Sequence, residues 1–590
     1  MTNYSGYMGK VVCLDLTTHG LSEYPWSDEE RRQFLGGRAM AAKIMSDCTG
    51  TVCNALSEES LIVIATGPLT GTGAPCSNHF CISSLSPSTG AVRHSSCGGD
   101  FGLFLKKAGY DALIIKGRCE EPTWISIHND SVTFRSAQGL MGLGCGKTQI
   151  TLQAETDEKR GCRVKCGMLV IGPAGEKLVN CATVVSGGRE AEHCDFGAVF
   201  GYKNLKAIVV SGNKEIPLAD TGKNRAICRQ WSAALRSHPL TGSLLPKLGT
   251  MGFLSLLNSN GLLPTENCRR GSFDNAEDIG GEFFADRFNL ESSGCTYCPI
   301  RCERSAMLDR RPVRGPELEL AALLGSNILN SDMGLIVRWS HELLEYGLDA
   351  ASTANTIAWA MQANEEGIFK SGLEFGRTGN ISGILGDIAY KRGVGAELAE
   401  GSKKLADKYG GDFLCLLKPL EMTAVEQYTG HIGYADYLRA AAASSGQCRM
   451  TDFAAIPKAL IRKPNGIASS FLKPVLAASE PLVKLLSRLP DCTTDSLPLF
   501  AHTKALDAAV GLRMSLGEYI EVGRRAMEAD GALNEKLGAE AEKPCLPPAL
   551  IRSHREARRA RSREELARLR DRLCSIDMKN ISAVKLPGRE

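Results

Sequence analysis

Neither sign of charge is in surplus: 69 Lys and Arg stand against 66 Asp and Glu in 590 residues, a formal net charge of +3. That balance supplies no global field to draw the chain to nucleic acid or an acidic membrane. Long apolar runs are missing too. A spanning helix needs roughly 18 apolar residues, and the best run, Leu61-Ile62-Val63-Ile64-Ala65, is broken by Thr66-Gly67-Pro68. The opening Met1-Thr2-Asn3-Tyr4-Ser5-Gly6-Tyr7 lacks the basic-then-apolar pattern of a secretory signal. A cytoplasmic protein with no membrane span is expected. The 22 cysteines fall far below the ~8 to 10 percent density of a disulfide scaffold and are scattered mostly singly. Reduced thiols are expected, and the question becomes which of them bind metal.

What is present is ordinary globular composition, 43% hydrophobic and 23% charged, in a length that suggests two to four domains. Glycine is enriched: 62 in 590 residues, about 10.5 percent against a typical ~7 percent. Tight turns or close backbone approaches follow. Residues 1–213 read as β-rich, with short β-branched runs such as Val11 to Leu14, Leu113 to Ile115, Trp124 to Ile127 and Ala207 to Val210 set between Gly, Ser and Pro turns. Residues 214–411 turn helical, as in Gly334 to Leu344, where apolar positions recur at three and four before Gly347. Residues 412–590 read as helical again. Nine arginines between Arg552 and Arg572, beside Glu556, Glu564 and Glu565, read as a solvated helix with internal charge pairs. The fold class expected is α+β: a β-sheet-rich domain followed by two mostly α-helical domains.

Cys295-Thr296-Tyr297-Cys298-Pro299-Ile300-Arg301-Cys302 is a C-x2-C-x3-C run. Such spacing lets thiolates converge on one small centre, but a [4Fe-4S] cluster or a structural zinc wants four ligands. The fourth must come from a distance, with Cys415, Cys448 and Cys492 the nearest downstream. Zinc is the bland alternative; Pro299 after the second Cys and the thiol-rich chain favour the cluster. Gly142-Leu143-Gly144-Cys145-Gly146-Lys147-Thr148 fails as a phosphate loop, because Met141 stands where that motif needs glycine.

Several longer strings share one pattern. They include Ala65 to Pro75, Gly98-Gly99-Asp100-Phe101-Gly102 running on to Asp111, Ile171 to Glu176, Gly197 to Ile208, Gly315 to Glu319, Tyr346 to Asp349, Gly430-His431 to Arg439 and Asp495-Ser496-Leu497. In order and spacing the chain resembles the tungsten- or molybdenum-dependent aldehyde:ferredoxin oxidoreductases, to about residue 540. The resemblance implies a bis-pterin metal cofactor on the N-terminal β domain, a [4Fe-4S] cluster beside it, an aldehyde or related carbonyl substrate and a ferredoxin-like electron acceptor. It leaves the oligomeric state open, a homo-oligomer included.

Residue by residue, the resemblance places Gly98 and Gly99 in one pterin-contact segment and Gly197 in a second. Asp349 and Asp495 fall on carboxylates that accept hydrogen bonds from pterin nitrogens. Glu319 matches a carboxylate near the metal, suited to proton handling, and Arg439 a phosphate or cofactor contact. Departures are several. The fourth cluster cysteine falls on Phe500, with Cys492 the substitute; phosphate-contacting arginines fall on His79 and His193, which carry charge only when protonated. Ser96 replaces an asparagine, Leu344 an aspartate, and Ala443 a histidine beside the metal. A catalytically silent scaffold or electron-transfer subunit of the same family is therefore the alternative to an enzyme, and a zinc-braced binding protein the third.

Overall fold

The computed structural model describes residues 2–539 except 51–52, 192–193, 239, 260, 262, 412, 415, 418–419 and 422–498. Twelve strands of the first third form two six-stranded sheets. They are β1 (Val11–Asp15), β2 (Gly20–Tyr24), β3 (Ile62–Thr66), β4 (Phe80–Leu85), β5 (Val92–Cys97), β6 (Ala112–Lys116), β7 (Thr123–His128), β8 (Ser131–Ser136), β9 (Gly167–Ile171), β10 (Val184–Ser186), β11 (Arg189–Glu190) and β12 (Leu205–Ser211). The first sheet runs β2-β1-β6-β3-β4-β5 and the second β11-β10-β9-β12-β7-β8. Pairing is antiparallel except for β1 with β6 and β7 with β12.

The central strands β3, β6, β9 and β12 carry runs of apolar residues because both their faces are covered. Ile62, Ile64, Leu113 and Ile115 of the first sheet share one core with Ile125, Ile127, Leu169, Ile171, Ile208 and Val210 of the second. The helices Phe101–Ala108 and Phe196–Tyr202 pack into that core through Phe101, Phe104, Leu105, Phe196 and Phe200. The alternate residues Val63, Ala65, Ala112 and Ile114 face the larger core built with the helical part. Val170, Ala207 and Val209 join Trp124 and Cys145 in a third cluster, against which Leu344 packs.

From Thr221 the chain is mainly helical. Asp332 caps the Met333–Tyr346 helix at its start, and Gly347, in the left-handed conformation at φ 68°, ends it. The helical reading of 214–411 needs one correction: β13 (Asn289–Ser293), β14 (Glu303–Leu308) and β15 (Arg311–Arg314) form a three-stranded antiparallel sheet. These strands are short and rich in polar and charged residues, so they carry no apolar alternation. Beyond the undescribed stretch, the helix Leu516–Lys536 begins with a Ser515–Glu518 capping box and packs on the helix Gly37–Cys48 near the N-terminus. The charged 552–572 segment lies outside the described residues. No helix among those described is long and apolar enough to cross a membrane.

Candidate functional site

The three cysteines occupy the β13–β14 hairpin loop, so they sit on a turn, not on a helix. The Cys298 amide donates to the Cys295 carbonyl at 3.0 Å, and Tyr297 and Arg301 take left-handed backbone angles of 67° and 51°. This loop is clamped to the N-terminal domain. Asn78 Nδ2 donates to the Thr296 carbonyl at 2.8 Å, and Thr296 Oγ1 donates to Asp100 Oδ1 at 2.6 Å.

The glycine pair is part of the same place. A Cβ on Gly98 would lie 3.1 Å from Cys295 Sγ, 3.3 Å from Arg189 Cδ and 3.4 Å from His79 Nε2; one on Gly99 would lie 3.2 Å from an Arg189 nitrogen. Gly99 also has φ +98°, a conformation that side chains rarely adopt. His79 Nε2 stands 3.9 Å from Cys295 Sγ. The thiol of Cys76 lies 3.6 Å from that of Cys298. Ser96 is half-buried in β5 opposite Cys81.

Charge beside the loop is arranged in pairs. Arg189 grips Glu303 with two nitrogens, Nη2 to Oε2 at 2.6 Å and Nε to Oε1, a bidentate geometry that favours arginine. Arg314 pairs with Glu317 and stands 3.7 Å from Glu303. Burial alone would raise the Glu303 carboxyl, yet Arg314 and Arg189 hold it below its ordinary value. Burial pushes the Cys302 thiol well above its usual range, with Glu317 and Glu303 adding to the effect. Such a thiol ionises only where a strong positive centre takes its proton's place. Among the described residues no three His, Cys, Asp or Glu side chains are arranged to hold a metal ion. In donor chemistry, thiols at the mouth of a Cβ-free turn fit an iron-sulfur cluster beside a group that approaches the Gly98–Gly99 backbone closely.

Glu319 lies half-buried in the first turn of the short helix Leu318–Leu323, two residues beyond the Arg314-bound Glu317. Asp349 takes a structural role in full view: buried, it caps the helix Ala350–Glu365 by accepting from the Ser352 amide at 2.8 Å. Gly197 is held by packing, since a Cβ there would come within 2.6 Å of the Thr183 carbonyl oxygen. Leu344 packs on the outer face of the second sheet. The rejected phosphate loop starts the helix Cys145–Arg160, and its Gly146 amide is already taken by Glu345 Oε1 at 2.9 Å. His193, Arg439, Ala443, Cys492 and Asp495 lie outside the described residues, and Phe500 falls in the helix Leu499–Val510.

Pattern reading missed Cys76 and the Arg189–Glu303 pair. Cys76 is one residue past the glycine-rich string Ala65 to Pro75 and three before His79, a position that distinguishes it from the scattered cysteines. Glu303 directly follows Cys302, and nothing in the sequence links it to Arg189.

Comparison with known proteins bears on the whole chain. The family model described as the aldehyde ferredoxin oxidoreductase N-terminal domain matches residues 11–212, and that for domains 2 and 3 matches residues 226–573. The tungsten-containing aldehyde ferredoxin oxidoreductase of Pyrococcus furiosus is 32% identical over 557 residues, 91% of this chain and 90% of that protein. The WOR-like subunit of an aliphatic sulfonate oxidoreductase from the same organism is 31% identical over 428 residues, 68% of this chain and 67% of that one. The BamBC active-site complex of benzoyl coenzyme A reductase shares the fold, with a TM-score of 0.77 at 22% identity over 97% of this chain and 94% of that one.

Proposed function

The chain belongs to the aldehyde ferredoxin oxidoreductase family and is an oxidoreductase of that type; from that premise we propose that it oxidises an aldehyde, or reduces a related carbonyl or acid, at a tungsten- or molybdenum-bis-pterin centre. Its electrons leave one at a time through a [4Fe-4S] cluster held by Cys295, Cys298 and Cys302 to a ferredoxin-like acceptor. Oxidation of an aldehyde with water yields the acid, two protons and two electrons, and the metal-pterin group supplies the two-electron chemistry when bound.

One observation carries the reading: the Gly98–Gly99 turn and the cysteine loop touch, Gly98 lacking the Cβ that would press on Cys295 Sγ at 3.1 Å. A donor and an acceptor of electrons placed on those two segments are neighbours without any further rearrangement. The chain's own groups then have distinct tasks. The glycine amides receive the pterin backbone-close, and His79 offers a donor to its phosphate. Arg189 and Arg314, compensated by Glu303 and Glu317, keep the loop's surroundings near neutral. Glu319 accepts one of the two protons. Asp349 orients the pterin only in addition to its capping bond, and Gly197 contributes shape through packing.

The test is metal content by mass spectrometry on anaerobically purified protein, together with aldehyde-dependent reduction of a viologen dye. Tungsten or molybdenum with about four irons per chain and dye reduction is the expected result. Iron alone without turnover would make the chain a silent relative, and zinc alone would overturn the cluster as well.

A further inference from the structure

Three clustered thiols leave a cubane one ligand short, and Phe500, where the family pattern puts the fourth, has no sulfur. We infer that Cys76 supplies the fourth sulfur, joining Cys295, Cys298 and Cys302 from the turn between β3 and β4. The assignment rests on the cluster reading above and adds to it the identity of the missing ligand.

The geometry carries it. Cys76 Sγ lies 3.6 Å from Cys298 Sγ across 222 residues of sequence, far beyond a disulfide bond of about 2.05 Å and in direct contact. The side chain is buried, 4% exposed, so its thiol faces the loop and not solvent. Its backbone is held at φ +59°, a conformation that ordinarily selects glycine, and strain of that kind persists only where the surroundings enforce it. The surroundings do enforce it. Ser77 Oγ donates to the carbonyls of Leu69 at 3.0 Å and Ala74 at 2.7 Å, and Thr70 Oγ1 donates to the Ser77 carbonyl at 2.8 Å. Asn78, two residues on, makes the 2.8 Å bond to Thr296 that fixes the two loops against each other. Cys76 is thus delivered to the motif by a rigid turn.

Two other residues compete for the fourth position. His79 Nε2 is 3.9 Å from Cys295 Sγ and offers nitrogen, and Cys492 offers sulfur from outside the described residues. Thiolate is the usual fourth ligand of a cubane, with imidazole the exception. On ligation each thiol would release its proton to solvent, and the Cys76 and Cys298 sulfurs, in contact at 3.6 Å without the cluster, would move apart because each takes a different iron.

The experiment uses the full chain, purified or reconstituted anaerobically with ferrous iron and sulfide, and reads iron per chain, visible absorbance and electron paramagnetic resonance. The variants are Cys76→Ser, Cys76→Gly, His79→Gln and Cys492→Ser. Cys76→Gly is the safeguard against misfolding, because glycine suits φ +59° better than cysteine does. The expected result is about four irons per chain in the unaltered protein, His79→Gln and Cys492→Ser. Both Cys76 variants should drop to about three or fewer, with the resonance of an oxidised three-iron cluster. An unchanged four-iron spectrum in Cys76→Gly, or the loss appearing in Cys492→Ser or His79→Gln instead, overturns Cys76 while leaving the cluster standing. Unaltered protein without iron overturns the cluster reading and the ligand together.

Discussion

His94 Nε2 and Asp530 Oδ1 meet at 2.7 Å across 436 residues, joining β5 of the first sheet to the helix Leu516–Lys536. The pair is enclosed: Ser83 Oγ stands 2.7 Å from His94 Nδ1, and Arg38 Nη2 donates to Asp530 Oδ2 at 3.3 Å. Burial alone favours a neutral imidazole, but the Asp530 charge and hydrogen bond raise the His94 pKa above its ordinary value. Burial alone would raise Asp530, yet His94 and Arg38 hold it below the usual carboxylate range.

The pH consequence follows from those two directions. The His94 contribution is complete below its unfolded pKa of about 6.5 and is lost as pH rises through the raised folded value. That of Asp530 is complete above about 3.9 and lost as pH falls through the lowered one. Thermal unfolding between pH 6.5 and 9 should therefore show stability declining, with a flatter profile in Asp530→Asn. That variant should also lose about 3–5 kcal/mol at pH 6.5, because Arg38 is left without its carboxylate. Parallel pH profiles in the two proteins would remove His94 from the explanation.

Lys206 is fully enclosed in β12, where its Nζ donates to the carbonyls of Leu143 at 3.0 Å and Ile171 at 2.8 Å and pairs with Glu176. Removing only the lysine strands a buried carboxylate. Lys206→Met is expected to cost about 3–5 kcal/mol in chemical denaturation, and adding Glu176→Gln should restore part of it. Strict additivity of the two losses would show that the pair is not coupled.

Two glycines of the matched segments should respond in opposite ways. In Gly197→Ala the new methyl meets the backbone of Ala182 and Thr183 at 2.6–2.8 Å, which cannot yield, so a loss of about 1–3 kcal/mol is expected with metal content per folded chain unchanged. In Gly98→Ala the nearest atom is the Cys295 sulfur, a side-chain end that can move. Stability should hold while iron content or the cluster's spectrum changes. Equal thermal shifts without spectral change would place both glycines in the scaffold alone.

Glu319→Gln keeps shape and removes the titrating group. Turnover with an aldehyde should fall about 10²–10⁴-fold, the range for loss of a general acid or base, at unchanged tungsten, molybdenum and iron content. Loss of metal instead would make Glu319 a structural residue.

Those contrasts mark where the sequence was legible. Strands β3, β6 and β12 were readable as continuous apolar runs because each is covered on both faces, and Gly347 announced a helix end through its backbone alone. The cysteine motif declared itself by local spacing. Its seat on a hairpin did not, since Asn289 to Ser293 and Arg311 to Arg314 pair through backbone bonds that polar side chains neither reveal nor forbid. Contacts made by folding over long separations were hidden for the same reason: Cys76 with Cys298, Arg189 with Glu303, His94 with Asp530. Asp349 stood between the two cases, its capping role being local and any second role not.

The bonds from Asn78 to Thr296 and from Thr296 to Asp100 also set a timetable for synthesis. The clamp residues leave the ribosome some two hundred positions ahead of the loop they hold, so the turn bearing Cys76 is available when Cys295, Cys298 and Cys302 emerge. If the proposed ligand set holds, all four of its sulfurs have emerged while nearly half of the polypeptide is still untranslated, so their assembly would not require the last part of the chain.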